Sequence, residues 1–202
     1  MESSEISGFM QQLYPLAVRM NEHLPTCWSS KDKYQFLGLS QNNLRAGKTH
    51  KDAAAVRSNY PIPCACGLYY FEVKILYGHW SFAHFIRLRL VILFVGWDKL
   101  SYGYHGDDGH SFCSSGSGMP FGPTFTSNDV IGCGLNMVEH YCFYTKNGQF
   151  LGTYTFSALF LELEICFRRG KISICFFGPL DCFSSTVTFI IVHKLLLCTY
   201  SG

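Results

Sequence analysis

The chain has 202 residues, enough for one domain with a sizeable core, and 16 basic against 14 acidic residues give it a net charge of +2. So balanced a charge argues against electrostatic binding of nucleic acid. An aromatic share of 16%, together with 19 glycines, favours an all-β, turn-rich domain over a helical bundle.

The ten cysteines leave two interpretations open. A secreted domain could join them in disulfides, whereas a cytoplasmic or nuclear protein keeps them as reduced, mostly buried thiols. The N-terminus has no basic-then-apolar signal pattern, and no Asn-x-Ser/Thr acceptor occurs, so the second interpretation is favoured. No Cys-x-x-Cys pair is present either, and we expect neither a metal site nor a cofactor.

The first quarter of the chain is predicted to hold a leader, a strand and a loop. Residues 1–27 are polar and mixed, and Pro15 breaks their short apolar run, so we expect a leader that packs loosely or crosses an edge of the domain. A short strand is expected over residues 36–39, and a polar loop over residues 40–52.

The clearest strand pattern covers residues 68–76. Two kinds of side chain alternate there, which predicts one face toward a core and one toward solvent. The residues expected to face the core are Tyr69, Phe71, Val73 and Ile75. Residues 61–63, Pro-Ile-Pro, lack ladder donors at both prolines, so we expect them to bring the chain into the sheet from an edge.

A three-stranded meander is predicted farther along the chain. Its strands are expected at residues 130–135, 141–146 and 149–154. Asn147-Gly148 separates the last two strands, and this dipeptide favours the type I′ hairpin turn, in which both central residues have positive φ.

Two stretches stand apart from the rest of the chain. Residues 80–95 are densely apolar, and residues 156–197 are rich in Phe, Ile, Leu and Cys with little clean alternation. A membrane span needs about 20 apolar residues, and His193 and Lys194 interrupt the most apolar part of the second stretch, so no span is expected. Buried strands are the favoured interpretation of this stretch, with a spurious or unstructured tail as the alternative.

Residues 96–118 concentrate Trp, Tyr, His and Asp among six glycines. A loop of this composition on a rigid scaffold usually serves recognition. The run from His105 to His110 invites a metal-site interpretation, but we favour a turn whose Asp side chains accept hydrogen bonds from nearby backbone amides. Cys113 and Cys142 each have a histidine nearby, yet buried structural thiols are favoured over the nucleophile of a hydrolase.

The same run resembles, nearly letter for letter, the core of the SPRY domain in the Ran-binding protein 9 and 10 family. Two blocks carry the resemblance, residues 28–75 with Trp28-Ser29 and Pro-Ile-Pro, and residues 96–152 with Ser-Tyr-Gly-Tyr-His-Gly-Asp-Asp-Gly-His at 101–110. The resemblance implies a SPRY-type antiparallel β-sandwich over residues 28–155, preceded by the leader of residues 1–27. Residues 156–202 would then be a divergent apolar tail that supplies closing strands or leaves the sandwich incomplete.

In that family the domain has no catalytic activity and binds short peptide segments of partner proteins through loops at one end of the sandwich. The residues expected to contact a peptide here are Lys51, Asp52, Trp97, Asp98, Tyr102, Tyr104, His105, Asp107 and Asp108. Tyr102 and Tyr104 share one face of a short strand, so both are buried or both are displayed, and Tyr104 is expected in the core more than at the contact.

Three departures from the family limit this expectation. The loop between residues 44 and 51 is shorter, residues 80–95 differ, and the match ends near residue 156. The LisH, CTLH and CRA regions that assemble the family into a ubiquitin-ligase complex are not recognised in these 202 residues. The scaffold role of the family is therefore not expected whole. What the resemblance implies is an adaptor linked to such a complex, in the cytoplasm and also the nucleus. The alternative is a truncated or mispredicted isoform without an independent stable fold.

Overall fold

The computed structural model describes residues 11–48, 54–77, 82–87, 101–113, 115–155, 171–176 and 185–190. These ranges contain a short helix, α1 (Pro15–Arg19), and one turn of 3-10 helix (Cys64–Cys66). The strands in chain order are β1 (Trp28–Lys33), β2 (Leu37–Ser40), β3 (Arg45–Lys48), β4 (Ala54–Ser58), β5 (Leu68–Tyr77), β6 (Phe82–Arg87), β7 (Ser101–His105), β8 (His110–Cys113), β9 (Met119–Pro120), β10 (Val130–Asn136), β11 (Tyr141–Lys146), β12 (Gln149–Thr155), β13 (Lys171–Phe176) and β14 (Ser185–Ile190).

The strands form two sheets in which neighbouring strands are antiparallel. Sheet A has the order β1-β4-β13-β6-β7-β8-β9, and sheet B has the order β12-β11-β10-β5-β14-β3-β2. One buried cluster draws on both sheets, with Trp28, Val56 and Tyr104 from sheet A and Phe71 and Tyr144 from sheet B. The expected all-β sandwich is therefore present, and its core lies between the two sheets.

The strand patterns with strong local signals are confirmed. On β5 the residues expected to face the core are all buried, while Lys74 on the other face is exposed. The hairpin between β11 and β12 has φ of 51° at Asn147 and 81° at Gly148, as a type I′ turn requires. The expectation that residues 61–63 bring the chain into the sheet from an edge is wrong, because the strand that follows them, β5, lies inside sheet B between β10 and β14. The prolines precede the strand, so their missing N–H groups do not interrupt its ladder.

The polar loop expected over residues 40–52 contains a strand instead. Gln41, Asn42 and Asn43 have positive φ and turn the chain from β2 into β3, where Ala46 is buried. β3 has the sequence Arg-Ala-Gly-Lys, which has no β-branched or aromatic residue to indicate a strand. Tertiary pairing with β2 and β14 forms it nonetheless.

The leader is packed more firmly than its composition predicts. Tyr14 stacks on Tyr69 with ring centroids 5.4 Å apart, and Ala17 is fully buried. The Tyr69 hydroxyl donates a 3.1 Å hydrogen bond to the Pro25 carbonyl, which ties the segment before β1 to β5. This part of the leader therefore belongs to the core of the sandwich.

The apolar region after residue 156 contributes a strand to the interior of each sheet. β13 lies between β4 and β6 in sheet A, and β14 lies between β5 and β3 in sheet B. The sheets thus extend beyond the boundary expected at residue 155. Among the residues that the structure describes, no helix has the length and hydropathy of a membrane span.

Candidate functional site

The distinctive run of glycines and aromatics folds into a tight hairpin at the end of sheet A. β7 pairs with β8, with Tyr104 opposite Ser111. The connecting turn ends at Gly109, whose φ of 71° lies in the region that favours glycine. This β7–β8 turn, residues 105–110, carries three of the residues expected to contact a peptide.

A second segment, residues 119–129, is attached to this turn through the backbone. The N–H groups of Phe121 and Gly122 both donate to the Gly109 carbonyl, at 3.1 and 2.9 Å, and the Phe125 N–H donates to the Gly106 carbonyl at 2.9 Å. A Cβ on Gly109 would lie 2.1 Å from the Gly122 carbonyl oxygen. The two segments can approach this closely only because glycine stands at residue 109.

Tyr104 packs under the hairpin, on the side that faces the core. Its ring lies 5.1–5.5 Å from those of Phe121, Phe125 and Tyr144, and its hydroxyl donates to the Pro123 carbonyl. Burial raises the pKa of Tyr104 to about 12. Tyr102 is also buried, with 3% of its surface exposed. Of the two alternatives for this pair, both buried or both displayed, the first is therefore correct. Both tyrosines lie in the core and support the turn from inside the domain.

The polar residues of the turn pair with one another. Asp108 accepts the His110 backbone N–H at 2.9 Å, and its other oxygen lies 2.8 Å from Nδ1 of the same residue. Burial acts to raise the Asp108 pKa, but these hydrogen bonds from His110 outweigh it and lower the pKa. His105 stacks on Phe112 with centroids 4.0 Å apart. The expected bonding of an Asp side chain to a nearby backbone amide is confirmed for Asp108.

Metal ligation at the turn is a weaker alternative. Ligand atoms of His105, Asp107 and Asp108 lie within 4.8 Å of one another, so the spacing is compatible with a cation. Both carboxylates are exposed, however, and Asp108 is already engaged with His110. With two of the three groups open to water, the cluster offers no closed coordination sphere.

The thiols near the site are poorly suited to nucleophilic chemistry. Burial raises the pKa of Cys113 and of Cys142 above the ordinary value of 9.0. A nucleophilic cysteine needs the opposite shift, because the thiolate is the reactive form. Cys27, Cys64, Cys66, Cys113, Cys133 and Cys142 are free thiols, and Cys64 is the exposed one among these six.

The surface around the turn presents acidic and apolar groups side by side. Asp107 and Asp108 are exposed, with 41% and 38% of their side chains accessible, and Met119 is 63% exposed where β9 pairs with β8. Pairing between Ser111 and Met119 brings the methionine to the site, and no local sequence signal indicated it. Lys51, Asp52, Trp97 and Asp98 lie outside the described residues, so their part in the site stays a prediction.

Comparison with known proteins places this architecture in a family. Residues 68–167 match the family model of the SPRY domain. The chain contains a domain that belongs to the SPRY family. It is similar to Ran-binding protein 10 of Danio rerio, with 53% identity over 160 residues, and to Ran-binding protein 9 of Homo sapiens, with 52% identity over 160 residues. The expected resemblance is thereby confirmed.

The SPRY-containing chain spans about a quarter of the length of these relatives. The matches cover 75% of this chain but 26% of the zebrafish protein and 22% of the human one. Solved structures agree on the fold. A human SPRY domain matches with a TM-score of 0.63 at 20% identity, over 80% of this chain and 98% of its own. The SPRY domain of human HERC1 matches with a TM-score of 0.65 at 12% identity, over 83% and 99%.

Proposed function

We propose that this SPRY domain is a non-catalytic interaction module that binds a short peptide segment of a partner protein at the β7–β8 turn. The observation that supports it is the combination of a rigid base with an exposed rim, by which we mean Asp107, Asp108 and Met119. Backbone hydrogen bonds from residues 119–129 and the buried Tyr104 hold the turn, while Asp107, Asp108 and Met119 remain open to solvent. A surface that is organised before binding loses little entropy on association.

The groups at the rim have complementary roles in this proposal. Asp107 and Asp108 accept hydrogen bonds from the peptide and fix its register, and the exposed Met119 packs against an apolar side chain. Tyr102 and Tyr104 act through the core that supports the turn. Trp97, Asp98, Lys51 and Asp52 are proposed to complete the contact on the strength of their match to the family motifs.

The similarity to Ran-binding proteins 9 and 10 supports a further part of the proposal, that the peptide-binding domain serves as an adaptor for a CTLH-type ubiquitin-ligase complex in the cytoplasm and nucleus. The domain would bring a partner protein to the complex, and a longer form of the chain would supply the assembly regions.

A peptide selection tests the binding function. Near-UV circular dichroism through a thermal melt first checks that the full chain has fixed aromatic packing, since a flat spectrum would favour the alternative of an isoform without a stable fold. A random peptide library displayed on phage is then selected on the folded chain, and the chosen peptide is titrated by fluorescence polarisation.

We expect saturable binding that weakens at least about tenfold in the Asp107→Asn, Met119→Ser double variant, because two contacts at the rim are removed. Val138→Ser is the matched control, since Val138 is 73% exposed but lies in the turn between β10 and β11. A folded chain that selects no peptide, or one whose peptide binds the double variant unchanged, contradicts the proposal.

A further inference from the structure

The outer face of sheet B carries a continuous group of aromatic side chains. Inward residues of β11 such as Tyr144 are buried, whereas Tyr141 and Phe143 alternate with them and are half-buried on the other face. Tyr70 of β5 and Phe150 of β12 lie on the same side. We call these four residues the aromatic face: Tyr70, Tyr141, Phe143 and Phe150.

Neighbouring rings on the aromatic face are in contact with one another. The Phe143 centroid lies 5.8 Å from Tyr70, 6.0 Å from Phe150 and 6.4 Å from Tyr141, and the Tyr70 and Phe143 rings are nearly parallel, 9° apart. Phe150 is 53% exposed. So large an apolar group on the outer side of a sheet is uncommon without a partner.

Glycines in β10 form the floor beneath these rings. A Cβ on Gly134 would lie 2.1 Å from the Phe143 ring, and one on Gly132 would lie 2.0 Å from the Tyr70 hydroxyl oxygen. The rings therefore fold down over β10 and occupy the space where side chains would otherwise stand. The result is an aromatic surface that lies close to the backbone of the sheet across β5, β10, β11 and β12.

One carboxylate adjoins the aromatic face without a basic partner. Glu72 accepts a 2.9 Å hydrogen bond from the Tyr70 hydroxyl, which is also 2.8 Å from the Thr145 hydroxyl. Within the described ranges, no lysine, arginine or histidine pairs with Glu72, and the exposed Lys74 on the same strand makes no ion pair with it. The face thus combines a carboxylate that has no ion-pair partner in the described ranges with the electron-rich faces of aromatic rings.

Both features attract a cation. Aromatic rings bind Arg and Lys within about 6 Å of the ring centroid, and a carboxylate adds a direct ion pair. Arg fits better than Lys, because its planar guanidinium stacks on a ring while its N–H groups still reach a carboxylate. A phosphate-bearing partner such as nucleic acid or anionic lipid is disfavoured by Glu72.

We propose that the aromatic face and Glu72 form a second docking surface, which binds an arginine side chain of an extended segment in a partner protein. The guanidinium stacks on Phe143 or Phe150 and pairs with Glu72. This surface lies on sheet B, whereas the β7–β8 turn lies at the end of sheet A, so the proposal does not depend on the function of the turn.

Aromatic NMR on the full chain tests this second surface with a defined probe. The peptide acetyl-Gly-Arg-Gly-amide is titrated into protein carrying 13C-labelled Phe and Tyr rings, beside the neutral isostere in which citrulline replaces arginine. We expect saturable shifts at Phe143 and Phe150, with the citrulline peptide binding roughly fivefold more weakly, because it keeps the shape and loses the charge.

Two variants separate the charge from the rings. Glu72→Gln keeps an acceptor for the Tyr70 hydroxyl and removes the charge, and Phe150→Leu keeps an apolar side chain and removes the aromatic ring. Each should weaken binding of the arginine peptide about threefold or more, while Asp107→Asn at the other surface leaves it unchanged.

Three results would overturn the proposal. The first is equal binding of the arginine and citrulline peptides to the wild-type chain, which needs no variant to fold. The second is a set of shifts confined to the β7–β8 turn, which would assign the arginine to the peptide site. The third is ring shifts that change with protein concentration before any peptide is added, which would make a second copy of the chain the occupant.

Discussion

The β10–β12 meander and the β7–β8 turn are built in opposite ways. The meander pairs residue by residue with its neighbours in the chain, from Ile131 opposite Lys146 to Asn136 opposite Tyr141. The turn depends instead on backbone contacts with a separate segment, such as the hydrogen bonds from Phe121 and Gly122 to the Gly109 carbonyl. A ladder spreads its stability over many equivalent bonds, whereas the turn concentrates it at a few close approaches.

This difference predicts where each region tolerates change. In the meander, one altered side chain leaves most of the ladder in place. At the turn, a single added methyl group separates two segments of backbone, which cannot move aside as a flexible side chain can. The β7–β8 turn should therefore be more sensitive to a small substitution at glycine than the hairpin of the meander, where a Cβ on Gly148 would meet nothing within 4 Å.

Gly109→Ala should give the largest effect. The added Cβ would lie 2.1 Å from the Gly122 carbonyl oxygen, and the φ of 71° strains any residue with a side chain. We expect the free energy of unfolding to fall by about 3 kcal/mol or more, measured by urea denaturation. Gly116→Ala is the matched control, because its Cβ would meet nothing within 4 Å, and we expect a change within about 0.5 kcal/mol.

An intermediate effect is expected at the hairpin of the meander. The Asn147 side chain accepts the Val130 N–H and donates to Asp129, each at 2.8 Å, and Asn tolerates the positive φ of this position. Asn147→Ala should lower the free energy of unfolding by about 1–2 kcal/mol in the same urea experiment.

Gly148→Ala separates backbone strain from the loss of side-chain hydrogen bonds at this hairpin. Its Cβ would enter open space, so only the strain at φ 81° remains, and a loss of about 1 kcal/mol is expected. The contrast between the regions fails if either hairpin variant is as destabilising as Gly109→Ala.

The features that could be predicted from the sequence have local causes. Alternation on β5 and the Asn147-Gly148 turn depend on residues close together in the chain, and both are found as expected. The tyrosines of β7 were correctly paired on one face for the same reason, although only the packed core shows which way that face points. Strand β3 was missed because its residues have little intrinsic preference for a strand.

The candidate site could be predicted only in part, because its geometry depends on distant segments. The glycines around residue 109 indicated unusual backbone, but nothing local indicates that the Gly122 carbonyl approaches Gly109. Met119 reaches the rim by pairing with Ser111, and the composition of residues 115–120 gives no sign of that pairing. For β13 and β14, apolar composition suggested strands. Their pairing could not be predicted, because β4 and β3, the strands that they pair with, lie much earlier in the chain.

The smallest predicted effect concerns Asp108 in acid. Hydrogen bonds from His110 lower the Asp108 pKa below its ordinary value of 3.8, despite partial burial, so the folded chain favours the ionised form. The stabilisation is then fully present above about pH 4 and is lost as the pH falls through the lowered folded-state pKa.

Because 38% of the side chain is exposed, water screens the pair, and Asp108→Asn should cost less than about 1 kcal/mol at pH 7. Urea denaturation at pH 7 and pH 2 checks the sign: the gap between wild type and variant should be smaller at pH 2 than at pH 7, because protonation of Asp108 removes the charge that the hydrogen bonds from His110 stabilise. A gap that persists at pH 2 would mean that Asp108 stabilises the turn through packing rather than through its charge, and the polar rim would then be as dependent on close fit as Gly109 is.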